Sequence, residues 1–393
     1  MTLPPPPGSF GQQPPYGGHT GGGAPESWPQ YPGGATSPPP GGPPPWGPQP
    51  PQPQWANGPT PPNGGGGKAK WILGGVAVVL AIALAVVVTV LVVRPDGGKG
   101  TTDASSGPKS EFASADDVGP ISIITEDPTC DAWGRIARDY SDTTQTVDWA
   151  ARDYAVPAAS WTPQQRNMYE TVGKAMTTAA DQTIALVKQT PHRVMRELYE
   201  QFIAYARAFE SKISAYTSDD DNFAVATDAF MIAAANICSA IDYGSAQTIG
   251  PRVPDAPAPT HVSQPLDPAE SKTFLNKPNS VCPEWASLVT EYSEKTAKWR
   301  ALDRSVSAKD WSPEYQTLNN AMAPVMSANA DELERLGKQS NNPTLEDIAI
   351  LAAQYQRGFV IAIPNYTPSD NLLAESATQL MRTVNWACKA SAR

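Results

Sequence analysis

The pattern Tyr-x-Arg-x-Phe occurs twice in the chain, at residues 205–209 and 355–359. An arginine guanidinium is a planar fork of N–H donors, which suits it to binding a carboxylate or a phosphate. Arg207 and Arg357, with Tyr205 and Tyr355, are therefore the candidate residues for binding a ligand or partner. The alternative is structural, because each arginine lies about 200° around a helix from its tyrosine and can pair with an acid on a neighbouring helix.

Recurring tryptophans form a second candidate set. Aromatic side chains dominate pockets for lipids, sugars and peptides, and they also dominate hydrophobic cores. Core packing is the favoured interpretation and a ligand pocket is the alternative. The residues are Trp133, Trp149 and Trp161, with their later counterparts Trp285, Trp299 and Trp311.

Catalytic chemistry finds little support in the residue types. After residue 95 the histidines are His192 and His261, one at an expected helix start and one in a Pro-rich stretch, so no histidine recurs as a general base. Nucleophile elbows, zinc-ligand spacings and phosphate-binding glycine loops do not occur in the sequence. We expect no catalytic residue, no metal site and no cofactor.

The cysteines mark the ends of a sequence repeat. Residues 130–238 recur, with drift, at 282–388, and most equivalent residues are 150 positions apart. Each copy carries one cysteine near each end, which favours Cys130–Cys238 and Cys282–Cys388 among the three possible pairings. Two such disulfides indicate an oxidising compartment.

Each copy contains four expected helices. Capping residues precede proline at Thr162-Pro163 and Thr190-Pro191, and again at Ser312-Pro313 and Asn342-Pro343. Apolar residues recur every three or four positions within these segments, as in an amphipathic helix. Short connections would pack the four helices up and down, which places the start of the first beside the end of the fourth.

The remaining segments differ sharply in composition. Residues 1–67 hold 22 of the 42 prolines and one charged residue, Glu26, so they cannot bury enough apolar surface to order themselves. Residues 71–93 carry no charge and are long enough, at ~1.5 Å per residue, to cross a ~30 Å hydrocarbon layer as a helix.

These observations predict an all-α protein: one transmembrane helix followed by two tandem, duplicated, disulfide-stapled four-helix bundles, after a disordered Pro/Gly-rich tail. We expect the chain to lie in the plasma membrane, with the tail in the cytoplasm and the repeats outside. The expected divisions are 1–67 (tail), 71–93 (transmembrane helix), 94–125 (flexible stalk), 126–243 (first bundle), 244–280 (Pro-rich linker) and 281–393 (second bundle).

The net charge of the chain limits the classes of partner that it can bind. The chain has a formal net charge of −10, and the residues before position 95 contribute only Glu26, Lys68, Lys70 and Arg94. The part after the predicted span is therefore acidic and would repel phosphate backbones, which argues against nucleic acid. The Pro-rich tail, with Thr and Tyr among its prolines, suits a cytoplasmic polyproline-binding or kinase partner.

The layout resembles a known group of proteins. A Pro/Gly/Gln/Tyr-rich tail, Lys68-Ala-Lys70, an Ala/Val-rich span and an acidic Cys-paired region are similar to the proline-rich single-pass envelope proteins of mycobacteria and related actinobacteria. The resemblance implies an inner-membrane location with the repeats facing the cell wall, and it carries no functional residue.

The leading hypothesis is a non-enzymatic envelope protein whose bundles bind an envelope protein or a lipid or wall ligand. The second is a transmembrane signal receptor that couples ligand binding on the bundles to the tail. The third is an enzyme that modifies cell-wall polymers or lipids.

Overall fold

The part of the chain described by the computed structural model, residues 110–259 and 261–392, is helical, and it contains no strand. Its α-helices are α1 Cys130–Thr146, α2 Pro163–Gln189, α3 Arg193–Glu210, α4 Asp221–Asp242, α5 Ser245–Ile249, α6 Cys282–Lys295, α7 Ala297–Arg300, α8 Pro313–Gln339, α9 Pro343–Ala362 and α10 Asn371–Ser391. Single turns of 3-10 helix occupy Trp149–Ala151, Ala158–Ser160, Ile213–Ala215, Ser218–Asp220, Gly250–Arg252, Pro268–Glu270, Ala308–Asp310, Ile363–Asn365 and Pro368–Asp370.

The expected caps begin several of these helices. The Thr162 hydroxyl accepts the Gln165 N–H at 3.2 Å, and the Gln165 side chain accepts the Thr162 N–H at 3.0 Å, which forms a capping box. The Asn342 side chain caps α9 by accepting the Leu345 N–H at 3.0 Å. α3 differs from expectation, because it begins at Arg193 and Thr190 instead closes α2.

Helices pack in the same way within residues 126–243, here called the first half, and within 281–392, the second half. α3 lies against α2 and α4, and α9 lies against α8 and α10. The structure contains the two expected disulfides: Cys130–Cys238 joins the start of α1 to α4, and Cys282–Cys388 joins the start of α6 to α10. Both disulfides close long loops, because the cysteines of the first are 108 residues apart in sequence and those of the second are 106 apart.

The two halves differ from the expectation of separate bundles on a linker, because the described residues form one compact unit. α4 and α10, the last long helix of each half, make the most extensive helix–helix contact. Both present buried alanines, including Ala226, Ala233, Ala377 and Ala387. Short side chains let helix axes approach closely, and the resulting contact gives the halves a shared core.

The predicted flexible stalk is wrong for residues 110–125, its described part. Ile121, Ile123 and Ile124 are buried at 4–5 % exposure. Ile123 lies against Gly358 of α9, where an added Cβ would approach the Ile123 Cδ1 to 2.6 Å. The predicted stalk as a whole, 94–125, is rich in Gly, Ser, Thr and Asp, but it ends with three isoleucines whose burial stabilises the packed conformation.

The predicted linker is also packed onto the helices. Ala246, Val253 and Leu275 are buried, and the Gln201 side chain accepts the Phe274 N–H at 2.8 Å. Two of its prolines, Pro251 and Pro268, lie in 3-10 turns, and residues 244–280 are anchored to the helices instead of spacing two bodies apart.

One described helical run, Ser218–Asp242, is long and apolar enough to cross a membrane. Two thirds of its most apolar window is buried inside the protein (67 %), and α3 and α10 flank it, as expected for a core helix. The predicted tail (1–67), the predicted transmembrane helix (71–93) and residues 94–109 of the predicted stalk lie outside the described residues.

Candidate functional site

The repeated arginines lie at the surface of their helix pairs and are already paired. Arg207 of α3 binds Asp181 of α2 at 3.0 Å, and Arg357 of α9 binds Asp331 of α8 at 2.8 Å. The two acids are themselves 150 residues apart, so the pair recurs in both halves. Arg357 also binds Glu334, whereas Arg207 donates to the backbone oxygens of Pro268 and Ala269. This geometry favours the structural alternative.

Tyr205 and Tyr355 do not accompany these arginines to the surface, since both rings are fully buried. Tyr205 stacks on Phe230 with ring centroids 5.4 Å apart. Burial raises the pKa of both phenols above the usual value, so both stay protonated. The structure therefore does not bring the four predicted binding residues into one site.

A buried ionic cluster joins the third long helix of one half to that of the other. Arg193 of α3 donates to Asp347 of α9 at 2.6 Å, and neither side chain is more than 1 % exposed. In the same helix Arg196 binds Glu200 at 3.0 Å and lies 3.7 Å from Glu197. Glu197 and Asp347 are 150 positions apart, so they occupy equivalent places in the two halves.

Burial raises the pKa of both acids, but their neighbours act on them differently. Burial raises the pKa of Glu197 well above its usual range, and the charge of Asp347 raises it further. Burial also raises the pKa of Asp347, but the hydrogen bond and charge of Arg193 oppose that rise. Arg193 therefore favours the charged form of Asp347 against the effect of burial, while burial and the charge of Asp347 both favour the protonated form of Glu197. With its core closed to solvent, the cluster ties α3 to α9 and offers no access to a ligand.

An aromatic frame recurs beside α2 and α8. In the first half the Trp161 indole N–H donates to the Val156 carbonyl at 2.8 Å, and the Tyr216 hydroxyl donates to the Tyr154 carbonyl at 2.9 Å. In the second half Trp311 donates to Val306 at 2.9 Å and Tyr366 donates to Arg304 at 2.8 Å. The two frames are held by equivalent bonds.

Tyr169 fills the frame of the first half. Its ring, 1 % exposed, stacks on Trp161 with centroids 4.1 Å apart and meets the edge of Trp149 at 5.0 Å. Beside it Arg152 binds Asp221 at 2.9 Å and lies over the Trp149 ring at 4.0 Å. Both tryptophans are buried as a result, which is the core packing that the sequence favoured.

The same frame is open in the second half, because the filling tyrosine and the arginine beside it are replaced by smaller residues and the aspartate by an uncharged one of similar size. Asn319 replaces the tyrosine, Leu302 replaces the arginine and Asn371 replaces the aspartate. They leave a cavity with ≈ 290 Å³ of unfilled space, its solvent-open mouth included. Its walls are Trp299, Trp311 and Tyr366, and its polar lining consists of Asn319, Asn371, Arg300, Asp303 and Arg304.

Hydrogen bonds set the orientation of these walls. The Trp299 indole N–H donates to the Asn319 side-chain oxygen at 2.9 Å, and the Asn319 amide donates to the Tyr315 carbonyl at 2.9 Å. Trp311 and Tyr366 stack with centroids 5.5 Å apart. The enclosed part of the cavity holds little more than one water, so a larger group would occupy the mouth as well.

An open groove adjoins this cavity and shares Leu302 with it. The groove offers ≈ 1070 Å³ of unfilled, solvent-open space. Its lining combines apolar and charged side chains, namely Lys298, Ala301, Leu302, Pro313, Glu314, Thr317 and Leu318. The cavity and the groove are together called the second-half pocket here.

The recurring tryptophans predicted core packing for both copies and did not distinguish the filled frame from the open one. The sequence does contain this difference, because Tyr169 aligns with Asn319 while the tryptophans beside them are kept in both copies. For the ionic cluster, the sequence gives only a weaker indication, namely that the acids Glu197 and Asp347 occupy aligned positions.

Comparison with known proteins identifies the family to which this chain is similar. The family model described as Mycobacterial ESX-1 associated protein matches residues 112–393. An uncharacterized protein of Mycolicibacterium smegmatis (strain MKD8) is 44 % identical over 346 residues, which cover 87 % of this chain and 91 % of that protein. That aligned length exceeds 112–393, so the likeness continues into the residues before 112. No solved structure matches the chain. The chain belongs to the family of mycobacterial ESX-1 associated proteins.

Proposed function

We propose that this protein is a non-enzymatic, single-pass envelope protein whose extracytoplasmic helical part binds another protein. In this proposal the helical part is a duplicated pair of four-helix bundles, and the second copy carries the binding site. The Pro-rich tail remains on the cytoplasmic side. Family membership supports association with ESX-1, since that association is in the family's description.

The observation that carries the proposal is the contrast between the two aromatic frames. Two frames with the same hydrogen bonds differ in filling: Tyr169 seals one, and Asn319 leaves the other open to solvent. Aromatic walls with a few polar groups are the usual composition of a binding pocket. The bonds from Trp311 to the Val306 carbonyl and from Tyr366 to the Arg304 carbonyl hold the walls of the second frame, and a preorganised site loses less entropy on binding.

Cross-linking in cells tests this function. The tagged full chain is cross-linked in mycobacterial cells and recovered from membranes, and its associated proteins are quantified for the native chain and for Asn319→Tyr. We expect ESX-1 proteins with the native chain and a loss of about tenfold or more with the variant, since a filled pocket removes a central contact. Asn320→Tyr, which puts the same side chain on the exposed face of α8, is the control.

Equal recovery from all three chains would contradict the proposal. Orientation is tested separately with Val118→Cys, at a side chain that is 58 % exposed. A membrane-impermeant maleimide should label this cysteine in intact cells and should not label Ser37→Cys in the tail. The reverse pattern would overturn the topology.

A further inference from the structure

We infer that the second-half pocket binds an aromatic side chain, a tyrosine or phenylalanine, on an extended segment of a protein partner. This inference rests on the proposed function and names the chemistry that the site recognises.

The first half supplies the template for the missing group. Trp161 and Tyr216 surround the Tyr169 ring, with centroids at 4.1 and 4.7 Å. Trp311 and Tyr366 have a similar relation to each other, with centroids 5.5 Å apart and ring planes at 27°, against 5.3 Å and 34° for Trp161 and Tyr216. The second frame keeps this geometry but lacks a ring equivalent to that of Tyr169, so it is preorganised for an aromatic ring supplied by a partner. Aromatic pairs in such arrangements are favourable beyond their buried area.

The depth of the cavity sets how the ring enters. The enclosed part has room for little more than a water, because Asn319 occupies the space nearest α8. A ring therefore places one edge in the enclosed part and its body in the mouth, against Trp311. The polar lining at Asn371 and Asp303 can hydrogen-bond a phenolic hydroxyl.

The residues that flank the aromatic side chain in the partner's extended segment would lie in the groove. Leu302, Pro313 and Leu318 give it an apolar lining, and Lys298 and Glu314 add one charge of each sign. A peptide has apolar side chains, polar backbone groups and both charge signs available, which fits this mixed lining. A free sugar would leave most of the groove unused.

Fluorine NMR of the full chain tests the inference. The protein is labelled with 5-fluorotryptophan, and N-acetyl-tyrosinamide is the probe. We expect the Trp299 and Trp311 signals to shift and saturate, with a Kd on the order of millimolar for one small ring. Signals of Trp149 and Trp161 should not move, because Tyr169 seals their frame. These two tryptophans are controls within the same molecule.

Two variants sharpen the result. Asn319→Tyr should abolish the shifts by filling the second frame, and Tyr169→Asn should make Trp149 and Trp161 respond by opening the first. Shifts with N-acetylglucosamine and none with N-acetyl-tyrosinamide would overturn the inference in favour of a saccharide. No response to either probe would also overturn it, while pocket-dependent recovery of partners in the cross-linking assay would leave the proposed function standing.

Discussion

Replacing Arg193 by methionine tests whether the ionic cluster joins the two halves. Arg193 is 1 % exposed, and its guanidinium donates to Asp347 at 2.6 Å, to the Gly119 carbonyl at 3.3 Å and to the Asp117 carbonyl. Methionine keeps an apolar stem and removes every one of these bonds. Asp347, with no exposed surface, then remains buried without its cation.

The size of the effect follows from that burial. Removing one partner of a buried ion pair costs about 3–5 kcal/mol, because the remaining charge is not compensated. At about 2–4 °C per kcal/mol for a domain of 150–250 residues, the melting temperature should fall by roughly 6–20 °C. The loss should shrink at acidic pH, where Asp347 can be neutralised by protonation.

Thermal unfolding of the full chain, followed by circular dichroism at 222 nm, measures this change. The matched control is Arg335→Met, whose partners Glu284 and Glu332 are exposed and whose own side chain is 36 % exposed. A surface pair contributes about 0–1 kcal/mol, so its melting temperature should change little. The double variant Arg193→Met with Asp347→Leu should regain most of the lost stability. Equal shifts for the two single arginine variants would refute the reasoning.

Three further results are expected. Glu197→Gln should gain stability relative to the native chain as the pH rises from 5 to 8. The folded-state pKa of Glu197 is raised, so the native chain loses stability as the pH rises above the unfolded pKa of this group, and the glutamine variant does not. Urea titrations measure the two free energies of unfolding, and parallel pH profiles would contradict this. Replacing Cys130 and Cys238 together by serine should cost about 2–5 kcal/mol in the same titrations, since a long loop is no longer closed, and an unchanged midpoint would count against the disulfide. Ile123→Ala should cost about 2–5 kcal/mol if residues 110–125 are packed, whereas Val118→Ala at an exposed site should cost almost nothing, and equal costs would show that the segment is not packed.

Local patterns predicted the helices well, since their signals lie in neighbouring residues. The Thr162 and Asn342 caps and the period of the apolar stripes depend on contacts within one or two turns. The disulfides followed from one longer-range assumption, that each copy pairs its own cysteines.

Contacts between the halves were not predictable in the same way. Charged residues on α3, such as Arg193 and Glu197, resemble an ordinary solvated helix face until α9 is known to cover them. The burial of Ile121 and Ile123 likewise depends on where α9 and Gly358 lie. These features arise from the arrangement of complete helices, which no local pattern in the chain specifies.

The second-half pocket was predictable only in part. Repeated tryptophans marked the frame, but whether a frame is filled depends on the volume of single residues at Tyr169 and Asn319. Aligning the two copies position by position would have shown the difference. The opening itself depended on the packing of Leu302 and Asn371 around it.

Site-specific photocross-linking in living cells tests the central claim most directly. A benzophenone amino acid is placed at Thr317, which is exposed and lines the groove, or at the equivalent exposed position of the first half, Asn167. Binding at the second-half pocket predicts a discrete protein adduct from position 317 that is absent from position 167. The absence of an adduct at 317, or the same adduct at both positions, would contradict the claim.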